Sequence, residues 1–191
     1  MARKNSRALW TDKILRGTAS AATAPAPMAR RPYTGHVLGI DPSLRGTGLS
    51  VIAFDNGNAT FRASRRLRLG PGLTMPDCLG AIYKAVADCI EDWPIRHVAL
   101  EQTIYVQNFQ TAQILGAARG AAIAAAAVLG KPVFEYPPLR VKQAVVGFGR
   151  ASKEQIGDMT RRLLHLPAPL SLDESDATAV ALCHAFTWRG D

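Results

Sequence analysis

The sequence HVLGIDPSLRGTGLSVIAF, from His36 to Phe54, contains the pattern that decides the fold. An apolar run ends at one carboxylate, Asp41, and a short glycine-containing turn, Pro42 to Gly46, leads into a second apolar run. Two such runs joined by a tight turn predict two β-strands connected as a hairpin. A buried carboxylate without a partner is strongly unfavourable, so Asp41 at a strand end predicts a cation or metal beside it.

A second acid occupies the same kind of position further along the chain. Glu101 follows the apolar run His97–Leu100, which predicts another buried strand. Two strands that each end in an acid predict one shared site where their ends meet.

Strand and helix patterns alternate through the rest of the chain. Asp55-Asn56-Gly57 predicts a hairpin turn, and Ser152 with Gln155 predicts a capping box at a helix start. The predicted strands cover about 36–41, 47–54, 59–69, 96–100 and 132–136, and the predicted helices cover about 76–92, 110–129, 140–146, a segment from 152, and 173–186. This order predicts an α/β fold with a five-stranded mixed sheet flanked by helices.

Residues 1–35 differ in composition from the rest. They hold seven basic residues and one acid, so they carry six of the eight net positive charges of the chain. Their Arg, Ala, Ser, Thr and Pro content shows no strand or helix period, which predicts a disordered basic extension before a domain of residues 36–191. An organelle transit peptide, a DNA-contacting arm and sequence upstream of an alternative start at Met28 all fit this composition.

The composition also excludes several classes. The three cysteines, Cys78, Cys89 and Cys183, show no CxxC spacing, which argues against a zinc site or a disulfide framework and favours a reducing, cytoplasmic location. We expect no membrane-spanning segment, because the most apolar helical stretch, 116–129, is short and contains Arg119.

The last predicted helix begins with two more acids. Asp173 and Asp176 are three residues apart, so they share one face of its first turn. Taken alone, acids at a helix start are explained by capping and by the helix dipole. Together with Asp41 and Glu101, they form a set of oxygen ligands suited to Mg²⁺ or Mn²⁺, and a pair of such ions supports phosphoryl transfer of the nuclease or transposase kind.

The chain resembles the bacterial RuvC Holliday junction resolvases of the RNase H-like superfamily over about residues 36–187. The resemblance is carried by GIDPSLRGTG, ALEQ around Glu101, LGAARGAAIAAA, PVFEYPPLRVKQAVVGFGRASKEQI and DESDATAVALCHA. It implies an RNase H-like fold and a homodimer that cuts four-way DNA junctions in recombination and repair, with RuvA and RuvB as partners.

The resemblance also implies roles for single residues. Asp41, Glu101, Asp173 and Asp176 would bind two Mg²⁺ ions, with Mn²⁺ as a substitute, and position 173 is a histidine in some relatives. Lys142 and Lys153 would hold DNA phosphates, although without the resemblance both fit ordinary solvated helix positions. The segment after Glu101 would place a side chain against unstacked bases, and Ile104 and Tyr105 are the candidates there.

Three other functions share parts of this sequence pattern. The GIDPSLRGTG turn also resembles the phosphate-binding hairpin of actin-like sugar kinases and chaperone ATPases, whose folds need a second half that this chain is too short to contain. A related nuclease acting on structured RNA would use the same acids. A non-catalytic junction-binding protein could share the fold, but the complete set of four acids argues against it.

Overall fold

The computed structural model of the protein describes residues 32–102 and 108–190. Its strands are β1 (Gly35–Asp41), β2 (Gly46–Asp55), β3 (Asn58–Arg68), β4 (Ile95–Glu101) and β5 (Val133–Tyr136). Its helices are α1 (Met75–Asp92), α2 (Phe109–Val128), α3 (Pro138–Val146), α4 (Lys153–Leu163) and α5 (Leu172–Thr187). Each predicted element is present close to its predicted bounds. Helix α3 begins two residues earlier than predicted, because proline is tolerated in the first turn of a helix.

The strands form a mixed sheet in the order β3-β2-β1-β4-β5. Strands β1, β2 and β3 pair antiparallel, whereas β4 is parallel to both β1 and β5. Parallel neighbours need a crossover, and α1 and α2 supply the two crossovers that lead to β4 and β5. The predicted five-stranded mixed sheet flanked by helices is therefore confirmed.

The β2–β3 hairpin contains two local features that set its register. Asn56 and Gly57 have φ angles of 48° and 87°, as the predicted two-residue turn requires. Further along, Ile52 pairs with Phe61 but Val51 pairs with Ala63, so Arg62 forms a bulge. Beyond the bulge, each residue of β3 faces the side of the sheet opposite to that expected from simple alternation.

Alternation along β1 and β4 assigns their side chains to two cores. Leu38, Ile40, Val98 and Leu100 pack toward α1 and α2. Val37 and Ala99, with the opposite parity, pack toward α3, α4 and α5. Asp41 and Glu101 share this second parity, so the sheet presents both acids to the α5 side.

Helix α5 lies unusually close to the sheet because two glycines make room for it. A Cβ atom built on Gly39 would lie 2.0 Å from the carbonyl oxygen of Ala177, and one built on Gly48 would lie 2.0 Å from that of Asp173. Neither distance is compatible with a side chain. Glycine at these two positions therefore allows the first turns of α5 to lie directly on β1 and β2.

An aromatic and histidine cluster closes the opposite end of α5. Tyr136 Oη lies 2.7 Å from His184 Nδ1, and His184 Nε2 lies 2.9 Å from His97 Nδ1. Burial, followed by the neighbouring His97 and Arg96, lowers the pKa of His184 to about 3, so this imidazole is neutral. Tyr33 is 2% exposed and its ring packs edge-on against His184, so the folded region begins before residue 36.

Helix α2 has two different faces. Four alanines, Ala118, Ala122, Ala125 and Ala126, are fully buried and pack with α1, and Arg119 forms an ion pair with Glu135. Within the described part of the chain, α2 is the one helix whose length and composition alone would suffice to cross a membrane. In the described chain 22% of its apolar stretch is buried, so most of this helix lies at the surface.

The close packing of α5 predicts different effects of alanine at two glycines. Gly39→Ala should reduce the free energy of unfolding by about 3 kcal/mol or more, because the added methyl group meets backbone rather than a movable side chain. Gly80→Ala, in the exposed interior of α1 where a Cβ has nothing within 4 Å, should raise it by about 0.5–1 kcal/mol. Urea unfolding of both variants measures this, and equal effects would contradict the packing described for α5.

Candidate active site

Asp41 and Glu101 lie at the same end of neighbouring strands because β1 and β4 run parallel. Ile40 pairs with Leu100, and the next residue on each strand is the acid. Since both acids have the parity that faces α5, their side chains leave the sheet on the same side.

The start of α5 brings the remaining two acids to this end of the sheet. Ser171 and Glu174 form a capping box, which defines where the helix begins. Ser64 of β3 donates a hydrogen bond of 2.7 Å to Glu174 Oε1, so the same glutamate also ties the helix start to the sheet. Asp173 and Asp176 project from the turn that these contacts hold.

A pocket of about 390 Å³ opens where these elements meet. Three of the four predicted acids line it: Asp41, Glu101 and Asp176. Both predicted phosphate-binding residues, Lys142 of α3 and Lys153 of α4, line it as well. The structure thus brings together acids from three separate segments and basic side chains from two further helices.

The acids repel one another in this pocket. Burial, followed by the charges of Asp176 and Glu101, raises the pKa of Asp41 to about 7, whereas Lys153 opposes the shift. Burial also raises the pKa of Glu101, again with a contribution from Asp176. A concentration of negative charge that the protein compensates only in part is the electrostatic environment that binds a cation.

Lys153 contacts the acids directly. Its Nζ atom donates a hydrogen bond of 2.6 Å to Asp176 Oδ2, and that contact raises the pKa of the lysine. The predicted capping box of Ser152 and Gln155 is present and begins α4 at Lys153, so the helix start positions this side chain. Lys142 makes a different contribution, because it influences Glu101 through its charge.

Asp173 lies apart from the other three acids, against a basic residue that the sequence did not identify as part of the site. Arg66 of β3 forms an ion pair with Asp173 Oδ2, although this oxygen lacks an aligned hydrogen bond among the described residues. Arg66 pairs with Gly48 across the sheet, so it stands beside the strand over which Asp173 lies. The basic alternation of β3 was visible in the sequence, but the bulge that turns Arg66 toward α5 was not.

The donor set fits hard divalent cations in its chemistry. Carboxylates are the preferred protein ligands of Mg²⁺ and Mn²⁺, and here they converge without histidine or cysteine. Within residues 32–102 and 108–190, no three such side chains are yet arranged around one point that could hold an ion. Binding would require side-chain rotation, and the contacts of Arg66 and Lys153 identify the two acids that must change partners.

The predicted base-contacting residues Ile104 and Tyr105 lie outside the described residues. The neighbouring segment is described again from Asn108, whose side chain accepts a hydrogen bond from the backbone of Thr111 and caps α2. Phe109, the first residue of that helix, is 74% exposed.

Comparison with known proteins gives a consistent result. The family model described as crossover junction endodeoxyribonuclease RuvC matches residues 37–184. The protein of that name from Geotalea uraniireducens is 44% identical over 149 residues, which cover 78% of this chain and 87% of that protein. The one from Pelotomaculum thermopropionicum is 39% identical over 156 residues, which cover 80% of this chain and 95% of that protein.

Solved structures agree with the sequence matches. The structure of T. thermophilus RuvC in complex with Holliday junction substrate has a TM-score of 0.77 and 33% identity, and the match covers 81% of this chain and 95% of that one. A yeast mitochondrial Holliday junction resolvase has a TM-score of 0.57 at 9% identity, which shows a common fold.

The raised pKa of Asp41 predicts how the stability of the metal-free protein depends on pH. The pKa of the Asp41 carboxyl group is about 7 in the folded state and lower in the unfolded state, so the folded state binds the proton more tightly. The free energy of unfolding therefore decreases as the pH rises through the folded-state pKa. Asp41→Asn removes the effect. In EDTA, the free energy of unfolding of the variant, relative to that of the parent protein, should increase by about 2–3 kcal/mol between pH 5 and pH 8.

Urea unfolding at the two pH values provides the measurement. Asp158→Asn, on the exposed face of α4, controls for the loss of one negative charge. A gain for Asp41→Asn that is the same at both pH values would show that proton binding at Asp41 does not link to folding.

Proposed function

We propose that this chain, which belongs to the crossover junction endodeoxyribonuclease RuvC family, resolves four-way DNA junctions by paired nicks. The observation that carries the proposal is the convergence of Asp41, Glu101 and Asp176 in one pocket beside two lysines. Acids from β1, β4 and α5 meet there only because the sheet order and the glycine contacts bring those elements together.

The cofactor of the proposed reaction is a pair of Mg²⁺ ions, for which Mn²⁺ would substitute. Asp41, Glu101, Asp173 and Asp176 would hold them. Two such ions roughly 3.5–4 Å apart activate a water molecule and stabilise the leaving oxygen of a phosphodiester. Cleavage would leave 5′-phosphate and 3′-hydroxyl ends.

The chain's own basic side chains would bind and orient the substrate. Lys142 and Lys153 come from different helices and both line the pocket, so they can contact phosphates on either side of the bond that is cut. Their positions on helices rather than on loops keep these contacts in register with the acids. The charges would also favour binding of any DNA backbone, which is a contribution that weakens with salt.

A homodimer is part of the proposal, because two nicks require two sites. The outward face of α2 supports it: Gly116, Gly120 and Ala124 are exposed at helical spacing, and a Cβ built on either glycine has nothing within 4 Å. Small residues at this spacing let two helices approach closely. Val128, at the end of the same helix, is 71% exposed, which adds apolar surface to this face.

The remaining parts of the proposal concern the cellular setting. We place the protein in homologous recombination and repair in the bacterial cytoplasm, with the branch-migration proteins RuvA and RuvB as partners. The pocket lined by three acids supports an active nuclease over a non-catalytic junction-binding protein. The family membership supports DNA junctions over structured RNA as the substrate.

Asp41→Asn should abolish junction cleavage and leave junction binding nearly unchanged, because it removes a metal ligand without removing a basic side chain. Cleavage of a labelled four-way DNA junction in Mg²⁺ should fall by about 10³-fold or more. Gel-shift binding in EDTA measures affinity separately, and Asp158→Asn should behave as the parent protein in both assays.

The same assay should include plain duplex DNA and a structured RNA. Cleavage of the junction well above both would support the proposed substrate. Preferential cleavage of RNA, or near-parental cleavage by Asp41→Asn, would reject it.

Gly120→Glu should convert the dimer to a monomer, because it places a charge where two copies of α2 would meet. Sedimentation velocity at micromolar protein concentration measures the state. Gly80→Glu, at an exposed glycine of α1 with open space around it, should remain dimeric. A Gly120→Glu protein that stays dimeric would place the interface elsewhere.

A further inference from the structure

Two acids near the start of α5, Asp173 and Asp176, are each paired with a cation from another element. Lys153 of α4 holds Asp176 through a contact of 2.6 Å, and Arg66 of β3 holds Asp173. The acids on the strands differ, because Asp41 and Glu101 have no ion pair within residues 32–102 and 108–190. The protein therefore neutralises two of its four acids with its own side chains.

The two cations are the mobile members of these pairs. The side chains of Lys153 and Arg66 are 59% and 37% exposed, whereas those of Asp176 and Asp173 are 11% and 23% exposed. Both cations have long side chains that can swing into solvent, and both acids are short and fixed by the helix. Ion pairs with this much exposure contribute little stability, so a competitor can break them.

A divalent ion is such a competitor. A carboxylate oxygen that binds Mg²⁺ or Mn²⁺ cannot also keep a lysine or arginine in contact, because the two positive charges repel each other. The pairs also account for the open arrangement of the acids, since each cation holds its partner in its present orientation. Metal binding at all four acids thus competes with both contacts.

We propose that Arg66 and Lys153 are resident counter-ions that the divalent ions displace, and that the displaced side chains then bind phosphates of the DNA. The proposal rests on the proposed function and adds a new residue, Arg66, to it. Without metal, the acids and the DNA phosphates compete for the same two cations. With metal bound, the acids release them, so metal and DNA strengthen each other's binding reciprocally.

Arg66 is well suited to the second role. It lies on the edge strand β3, on the side of the site away from the two lysines, so its release would extend the basic surface across the pocket mouth. A guanidinium group binds phosphate through two parallel hydrogen bonds, which a lysine cannot do. Arg68 is exposed two residues further along the same strand and continues this surface.

Metal affinity tests the displacement. Arg66→Gln and Lys153→Gln should each bind Mn²⁺ about two- to fivefold more tightly than the parent protein, because the ion no longer competes with an ion pair. Arg68→Gln and Lys142→Gln remove a nearby positive charge without removing such a contact, so they should change the affinity less. Isothermal titration calorimetry, or electron paramagnetic resonance of free Mn²⁺, gives the affinities without any cleavage assay.

The salt dependence of junction binding tests whether metal binding releases these side chains to the DNA. Replacing EDTA by Ca²⁺ should steepen the plot of log affinity against log salt in the parent protein, by about 0.9 for each new phosphate contact. Arg66→Gln should show a smaller increase than the parent, by about one contact. Arg68→Gln should lower the slope equally in EDTA and in Ca²⁺.

Two outcomes would overturn the inference. One is equal tightening of Mn²⁺ binding by all four charge-removing variants, which would reduce the effect to general electrostatics. The other is a metal-induced change of salt slope that Arg66→Gln leaves intact. Asp41→Asn separates these failures from failure of the proposed function, because parental Mn²⁺ binding by that variant would reject the metal site itself.

Discussion

Helix α5 lies on β1 and β2 at backbone contact distance, and the arrangement of the acids depends on that approach. An aspartate side chain is short, so Asp176 reaches the pocket of Asp41 only if the helix backbone is close to the strand. Gly39 and Gly48 provide the room. Hydrogen bonds then hold the helix in place, including the 2.7 Å contact from Thr178 to Ser50. The close packing of α5 on the sheet thus forces negatively charged side chains close to one another.

The close approach of these acids lowers the stability of the folded state. The pKa of Asp41 rises to about 7 because its ionised form is buried among other acids, and each ionised acid makes the next one less favourable. A fold optimised for stability alone would replace at least one of them. The protein keeps them and moderates the repulsion with Lys153 and Arg66, which is the usual compromise between stability and activity at a functional site.

Simple periodicity predicts the positions of Asp41 and Glu101, because strand alternation and a shared sheet edge are visible in the sequence. The start of α5 is equally visible, since acids follow a helix-capping serine. Arg66 was not predictable in the same way. A hairpin without a bulge would place Arg65 opposite Gly48, and only the extra residue at Arg62 brings Arg66 there.

Contacts between distant segments set a second limit on sequence reasoning. Tyr33 lies next to a basic, proline-containing stretch, and its local sequence predicts no order. It is nevertheless buried, because its ring fills a gap beside His97, His184 and Trp188. No local pattern could reveal this, since the partners come from the far ends of β4 and α5.

Arg66 and Asp173 act as one unit at the edge of the site. The arginine places a positive charge beside Asp173, and the acid holds the arginine at one position at the edge of the site. A histidine at position 173 would bring no negative charge to hold an arginine, so it would not support the same pair. The residue at 173 therefore decides whether β3 contributes a cation beside the candidate site. In this chain Asp173 holds Arg66 there, so the edge strand adds a charged side chain as well as structural support.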